Sequence, residues 1–87
     1  MKIRLQLMNQ DETLRAFRVL CRSVICGLLY RLKGKALKGT RYENRWFAIA
    51  FLAGGEVLHS DAHQNGLFDR RGDAKQWIMT NQTVLVL

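Results

Sequence analysis

The side chains best suited to chemistry in this sequence are cations, and they are concentrated in its first half. Residues 1–45 hold eleven of the fourteen Lys and Arg residues against three acids, whereas residues 46–87 hold three bases against four acids. The first half therefore carries a net charge of +8 (11 − 3) and the second half −1 (3 − 4). Such an asymmetry draws a polyanion to one end of a small protein.

Two groups of residues are candidates for contacting that polyanion. Three arginines recur at spacings of three and four, which places them on one stripe if the segment is helical. A basic segment with two glycines follows them. The predicted nucleic-acid-binding residues are Arg15, Arg18, Arg22, Lys33, Lys35, Lys38, Arg41, Tyr42 and Arg45. Lys and Arg neutralise phosphates and release their counterions, and an aromatic ring such as that of Tyr42 suits stacking on unpaired bases.

The histidines give a weaker signal. His59 and His63 flank Asp61, but a metal site needs three or four fixed ligands and no Cys or further His lies nearby. We therefore predict no metal, no cofactor and no catalytic residue, so that the protein is not an enzyme. A less favoured alternative is a metal-independent, toxin-like ribonuclease that uses His59, His63 and the cations Arg41 and Arg45 with Tyr42.

The composition is that of one small globular domain spanning residues 1–87, with 48% hydrophobic and 24% charged residues. Cys21 and Cys26 are too few for a disulfide framework, so we expect reduced and buried thiols. The longest uncharged apolar runs, Ser23–Tyr30 and Trp46–Ala53, are much shorter than a membrane span. We expect a cytoplasmic protein with no membrane partner.

The hydrophobic spacing predicts an α+β fold. Alternation at Ile3, Leu5 and Leu7 predicts a strand, and spacings of three and four predict an amphipathic helix from Asp11 to Leu32. The remaining predicted elements are a hairpin with arms Trp46–Leu52 and Val57–Ser60, a short strand Gly66–Phe68, a helix Gly72–Met79 and a strand Thr83–Leu87. The predicted order is β-α-β-β-(β)-α-β, a mainly antiparallel sheet packed on one long helix, with a ferredoxin-like arrangement as the first topology to test.

The second half of the predicted long helix is apolar on nearly every side. Such a helix is covered twice, and in a small domain the second cover can come from another molecule. We therefore predict a partner or homodimer interface at Val19, Cys26, Leu29 and Tyr30.

The leading functional interpretation is a small, basic, non-enzymatic protein that binds DNA or RNA through phosphate contacts. The main alternative is an inhibitor or adaptor of the phage or plasmid accessory type. Its basic face would dock on an acidic surface of a larger nucleic-acid-processing protein, with those four apolar residues at the centre of the contact.

Overall fold

The computed structural model describes residues 3–63 and 65–81. They form one five-stranded antiparallel sheet and one α-helix, and strands that follow each other along the chain are neighbours in the sheet. The elements are β1 (Ile3–Gln10), β2 (Leu14–Cys21), β3 (Val24–Leu32), β4 (Trp46–Phe51), β5 (Val57–His59) and α1 (Arg71–Asn81). The predicted α+β class and antiparallel sheet are confirmed.

The predicted long helix from Asp11 to Leu32 is wrong, because this segment forms β2 and β3. The chain reverses through Arg22 and Ser23, whose φ angles of 52° and 72° both lie in the left-handed region. Two such residues make the tight reversal that matches the twist of antiparallel strands. Asn and Gly are the usual residues there, so the sequence lacks the ordinary sign of a hairpin.

The ferredoxin-like arrangement is not confirmed, because no helix separates β1 from β2 within the described residues. Asp11 instead holds a tight turn between these strands. Its Oδ1 accepts hydrogen bonds from the Thr13 hydroxyl at 2.7 Å, the Thr13 N–H at 2.8 Å and the Leu14 N–H at 2.9 Å. These bonds, led by that of the Thr13 side chain, lower the pKa of Asp11 to about 2.

Later elements follow the prediction more closely. The hairpin arms are β4 and β5, and the predicted second helix lies within α1. The predicted strand Gly66–Phe68 is reduced to a single bridge between Phe68 and Trp46. The predicted strand Thr83–Leu87 lies outside the described residues. No helix in the described ranges is long and apolar enough to span a membrane.

One face of the sheet forms the core with α1. Val19, Cys26 and Leu29, which were predicted at an interface, are each 0% exposed and belong to this core. The interface was predicted from a helix that was apolar on nearly every side, and this segment instead forms β2 and β3. The prediction of a homodimer therefore loses its basis. Tyr30 is only partly buried and lies on the opposite face.

Both cysteines are free and buried, as predicted. Cys26 is the extra residue of a bulge, since Val19 pairs with Gly27 and Leu20 with Ile25. Its thiol lies 3.4 Å from the Val19 carbonyl oxygen, to which it donates a hydrogen bond. Burial raises the pKa of the Cys26 thiol.

Ile78 of α1 packs closely against Gly27 of β3. A Cβ atom there would lie 2.6 Å from the Ile49 carbonyl oxygen and 2.8 Å from two side-chain atoms of Ile78. The absence of a side chain at Gly27 therefore sets how closely α1 packs on β3.

The turn generates the first testable prediction. Replacing Arg22 by Asn and Ser23 by Gly should raise the free energy of unfolding by about 1–2 kcal/mol, because these residues adopt left-handed angles at lower cost. Thermal unfolding followed by circular dichroism should show a higher Tm, by about 4–8 °C per kcal/mol. A lower Tm for Ser23→Gly alone would contradict the hairpin, since Gly inside a helix is destabilising.

The close approach generates the second prediction. Gly27→Ala should lower the free energy of unfolding by about 1–3 kcal/mol, because the backbone carbonyl of Ile49 must move to admit a methyl group. Gly72→Ala is the matched control. Nothing lies within 4 Å of a Cβ at Gly72, which is in α1, so this change should stabilise by about 0.5–1 kcal/mol. Equal effects in urea titrations would refute the packing argument.

Candidate nucleic-acid interface

The three arginines predicted on one helical stripe are separated by the sheet. Arg15 packs near the core rings on the face covered by α1, and Arg18 bonds Gln6 on the opposite face. Arg22 lies in the β2–β3 turn, seven residues from Arg15, or about 23 Å along an extended chain. The predicted stripe is wrong because strand side chains alternate between faces, so residues three apart point in opposite directions.

A cluster of guanidinium groups replaces the stripe at the end of β2 that is remote from Arg22. The Cζ atom of Arg15 lies 5.2 Å from the ring centroid of Phe17 and 6.0 Å from that of Trp46. Arg71, the first residue of α1, approaches the same Phe17 ring, with its Cζ at 4.8 Å. Arg31 is the direct cross-strand partner of both Arg15 and Trp46. Three cations therefore share the surroundings of two nearly buried rings.

The charges of this cluster are not neutralised by carboxylates of the described residues. The one ion pair among the described residues lies outside the cluster and joins Arg45 Nε to Asp69 Oδ1 at 3.0 Å. Arg31 donates from Nη2 to the amide oxygen of Asn44 at 3.0 Å, which is a neutral acceptor. The Nε of Arg15 is buried and has no hydrogen-bond partner among the residues that the structure describes. A buried donor without an acceptor is unfavourable.

The basic segment, residues 33–45, follows β3 and adjoins this cluster. Its lysines, together with Arg31, surround a surface cavity of about 350 Å³. The lining residues are Arg31, Leu32, Lys33, Gly34, Lys35, Leu37, Lys38, Glu43 and Asn44. The only carboxylate among them, Glu43, accepts a hydrogen bond from the Gly39 N–H at 2.7 Å. We call the surface formed by Arg15, Arg31, Lys33, Lys35, Lys38 and Arg71 the basic end.

The other three predicted binding residues fasten this segment to the rest of the fold. Arg41 donates from Nη2 to the His63 carbonyl oxygen at 3.2 Å, and Arg45 pairs with Asp69. The Tyr42 hydroxyl donates to Asp61 Oδ2 at 3.0 Å. An exposed ion pair such as Arg45–Asp69 contributes little stability. Together with the two hydrogen bonds, it sets the position of the loop.

Sequence reasoning missed Arg31 and Arg71. Arg31 falls off the stripe of the supposed helix, and only the strand register brings it opposite Arg15. Arg71 reaches Phe17 through the packing of α1, which no local pattern encodes. A correct strand prediction for 14–32 would have found Arg31, because it lies near the end of the same strand as the core residue Leu29.

The structure does not assemble the histidines into a recognisable centre. His59 lies exposed on β5 opposite Ile49, and His63 is exposed in the following turn. The carboxylate between them, Asp61, accepts the Tyr42 hydrogen bond. Within residues 3–63 and 65–81, no group of three His, Cys, Asp or Glu side chains is arranged to hold a metal ion.

Comparison of the chain with protein-family models, with curated proteins and with solved structures finds no match.

The Tyr42–Asp61 contact generates the third prediction. The hydrogen bond to the carboxylate favours the neutral phenol and raises the pKa of Tyr42 above its ordinary value of 10.0. The stability that this bond contributes should be present below pH 10 and be lost as the pH rises through the raised pKa. The difference between the absorbance titrations of the wild type and of Tyr42→Phe isolates the ionisation of Tyr42. Asp61→Asn should lower the pKa of Tyr42, and an unchanged Tyr42 pKa would show that the hydrogen bond to Asp61 does not form.

Proposed function

We propose that this protein binds nucleic acid without acting as an enzyme, and that its basic end contacts the phosphates. The observation that carries the proposal is that Arg15 and Arg71 both lie over the Phe17 ring and Arg31 is the cross-strand partner of Arg15. No carboxylate of the described residues is paired to any of the three. Guanidinium groups present forked N–H donors that match the oxygens of a phosphate.

The basic segment extends this contact. Lys35 and Lys38 are exposed, and Lys33 is half-buried beside Arg31 in the same cavity. Several cations within one small area suit successive phosphates along a nucleic-acid backbone better than one small anion, because each neutralised phosphate releases its own counterions. Phosphate contacts of this type position a protein without reading base sequence.

The alternative of an acidic protein partner receives less support. Val19, Cys26 and Leu29, which were to form the apolar centre of that interface, have no exposed surface. A stable protein interface ordinarily has an apolar core within its polar rim. The ribonuclease alternative makes a separate prediction, which is cleavage of RNA that depends on His59 or His63.

Salt-dependent binding generates the fourth prediction. Fluorescence anisotropy should show binding to labelled RNA or DNA that weakens steeply between about 50 and 200 mM salt. Arg31→Gln should reduce the slope of log K against log salt by about one, because one phosphate contact is lost. Arg22→Gln is the matched control, since it removes the same charge at the far end of β2 and should leave the slope unchanged.

Three outcomes would refute the proposal or its site. No binding to either nucleic acid at low salt would refute nucleic-acid binding. Equal effects of Arg22→Gln and Arg31→Gln would refute the basic end as the place of contact. Loss of RNA label by cleavage, abolished by His59→Ala or His63→Ala, would refute the non-enzymatic role.

A further inference from the structure

The sheet has a second face, opposite α1, which the helix does not cover. We call it the open face and define it by two neighbouring rows of residues. The first row crosses all five strands through Gln6, Arg18, Leu28, Ile49 and His59, which are consecutive partners in the strand register. The second contains Ala16, Tyr30 and Phe47, again in register. The single α-helix of the described residues packs on the other face.

Aromatic rings lie together on the open face. Tyr30 and Phe47 are stacked, with ring centroids 5.4 Å apart and planes inclined by 21°. Tyr42 meets Phe47 edge-on, at 5.8 Å and 76°. All three residues are half-buried. Because Tyr42 belongs to the basic segment, the aromatic group adjoins the loop that forms part of the basic end.

The charges on the open face are positive. The strand register places Arg18 in the first row, Arg4 two residues before Gln6 on the same side of the sheet, and no Asp or Glu in either row. Asp61, beside the aromatic group, accepts the hydrogen bond of the Tyr42 hydroxyl. The guanidinium of Arg18 makes one long hydrogen bond, from Nη1 to Gln6 Oε1 at 3.3 Å. A second copy of the chain is a poor occupant, since a two-fold contact would set the same cations against each other without a carboxylate.

We infer that the open face binds the unpaired bases of a single-stranded nucleic acid whose backbone is held by the basic end. This inference rests on the proposed function and names its substrate class. Aromatic rings beside cations suit single strands, because free bases expose their ring faces and stack on aromatic side chains whatever their sequence. Paired bases in a duplex stack on one another and present only their edges, which a half-buried ring cannot use.

The test compares one labelled oligonucleotide, single-stranded and annealed to its complement, by fluorescence anisotropy. The wild type should bind the single strand more tightly than the duplex. Phe47→Leu and Tyr30→Leu should each weaken single-strand binding by about 5- to 50-fold, because leucine keeps an apolar side chain but removes the stacking ring. Neither change should alter the weaker binding to duplex.

Phe51→Leu is the matched control. Phe51 is on the same strand and side of the sheet as Phe47, but it lies outside the two rows that define the open face and beside Glu56, whose carboxylate repels phosphates. Its replacement should change single-strand affinity by less than about 2-fold. Ring-proton signals of Tyr30 and Phe47 should shift upfield when the oligonucleotide is added, which directly reports bases stacked on them. Thermal melts of each variant identify any loss of affinity caused by unfolding.

The results separate the two proposals. Equal affinity for single strand and duplex, or equal effects of Phe47→Leu and Phe51→Leu in folded proteins, would overturn the role of the open face. Salt-dependent binding that is weakened by Arg31→Gln could still be present in that case, and would keep the basic end. Absence of binding to either oligonucleotide at low salt would overturn both.

Discussion

The reversal of the chain at Arg22 and Ser23 is the constraint on which the rest of the structure depends. Once the chain turns back there, Phe17 lies opposite Leu29 and the apolar residues of 14–32 are divided between two strands. Side chains then alternate between two faces. This alternation sends Arg15 toward the basic end and Arg18 to the open face, so one turn determines how the positive charge is distributed.

The packing of α1 depends in turn on that hairpin. The strand register puts Gly27 between Val19 of β2 and Ala50 of β4. Because Gly27 has no side chain, Ile78 of α1 packs directly against this position. An isoleucine seated there fixes the distance of the helix from the sheet. The same packing holds the first residue of α1, Arg71, over the Phe17 ring. The third guanidinium of the basic end is therefore placed by a contact within the core.

Local signals predicted β1, the β4–β5 hairpin and α1, because alternation, two glycines between apolar runs and an apolar helical stripe each act over a few residues. The β2–β3 hairpin could not be predicted in this way. Its turn lacks Asn and Gly, and central strands with apolar residues on both faces show no clean period of two. The concentration of charge was visible in the composition, but its division between two surfaces required the register. For that reason Lys33, Lys35 and Lys38 were found, whereas Arg31 was not.

The basic end is electrostatically unfavourable to the folded chain. Arg15 and Arg31 are like charges directly opposite each other on neighbouring strands, and Arg71 lies at the positive end of the α1 dipole. Contacts of cations with the Phe17 and Trp46 rings offset part of this cost, by about 0.5–1 kcal/mol each at exposed sites. A phosphate bound among these three side chains would offset their mutual repulsion, interact favourably with the positive end of the α1 dipole and supply acceptors for their N–H groups. Because a ligand that binds only the folded state stabilises it, nucleic-acid binding and folding stability would then be linked through the same three side chains. Residues that violate a local rule together, at one place, are characteristic of a functional site, and this supports our proposal that the basic end makes the primary contact.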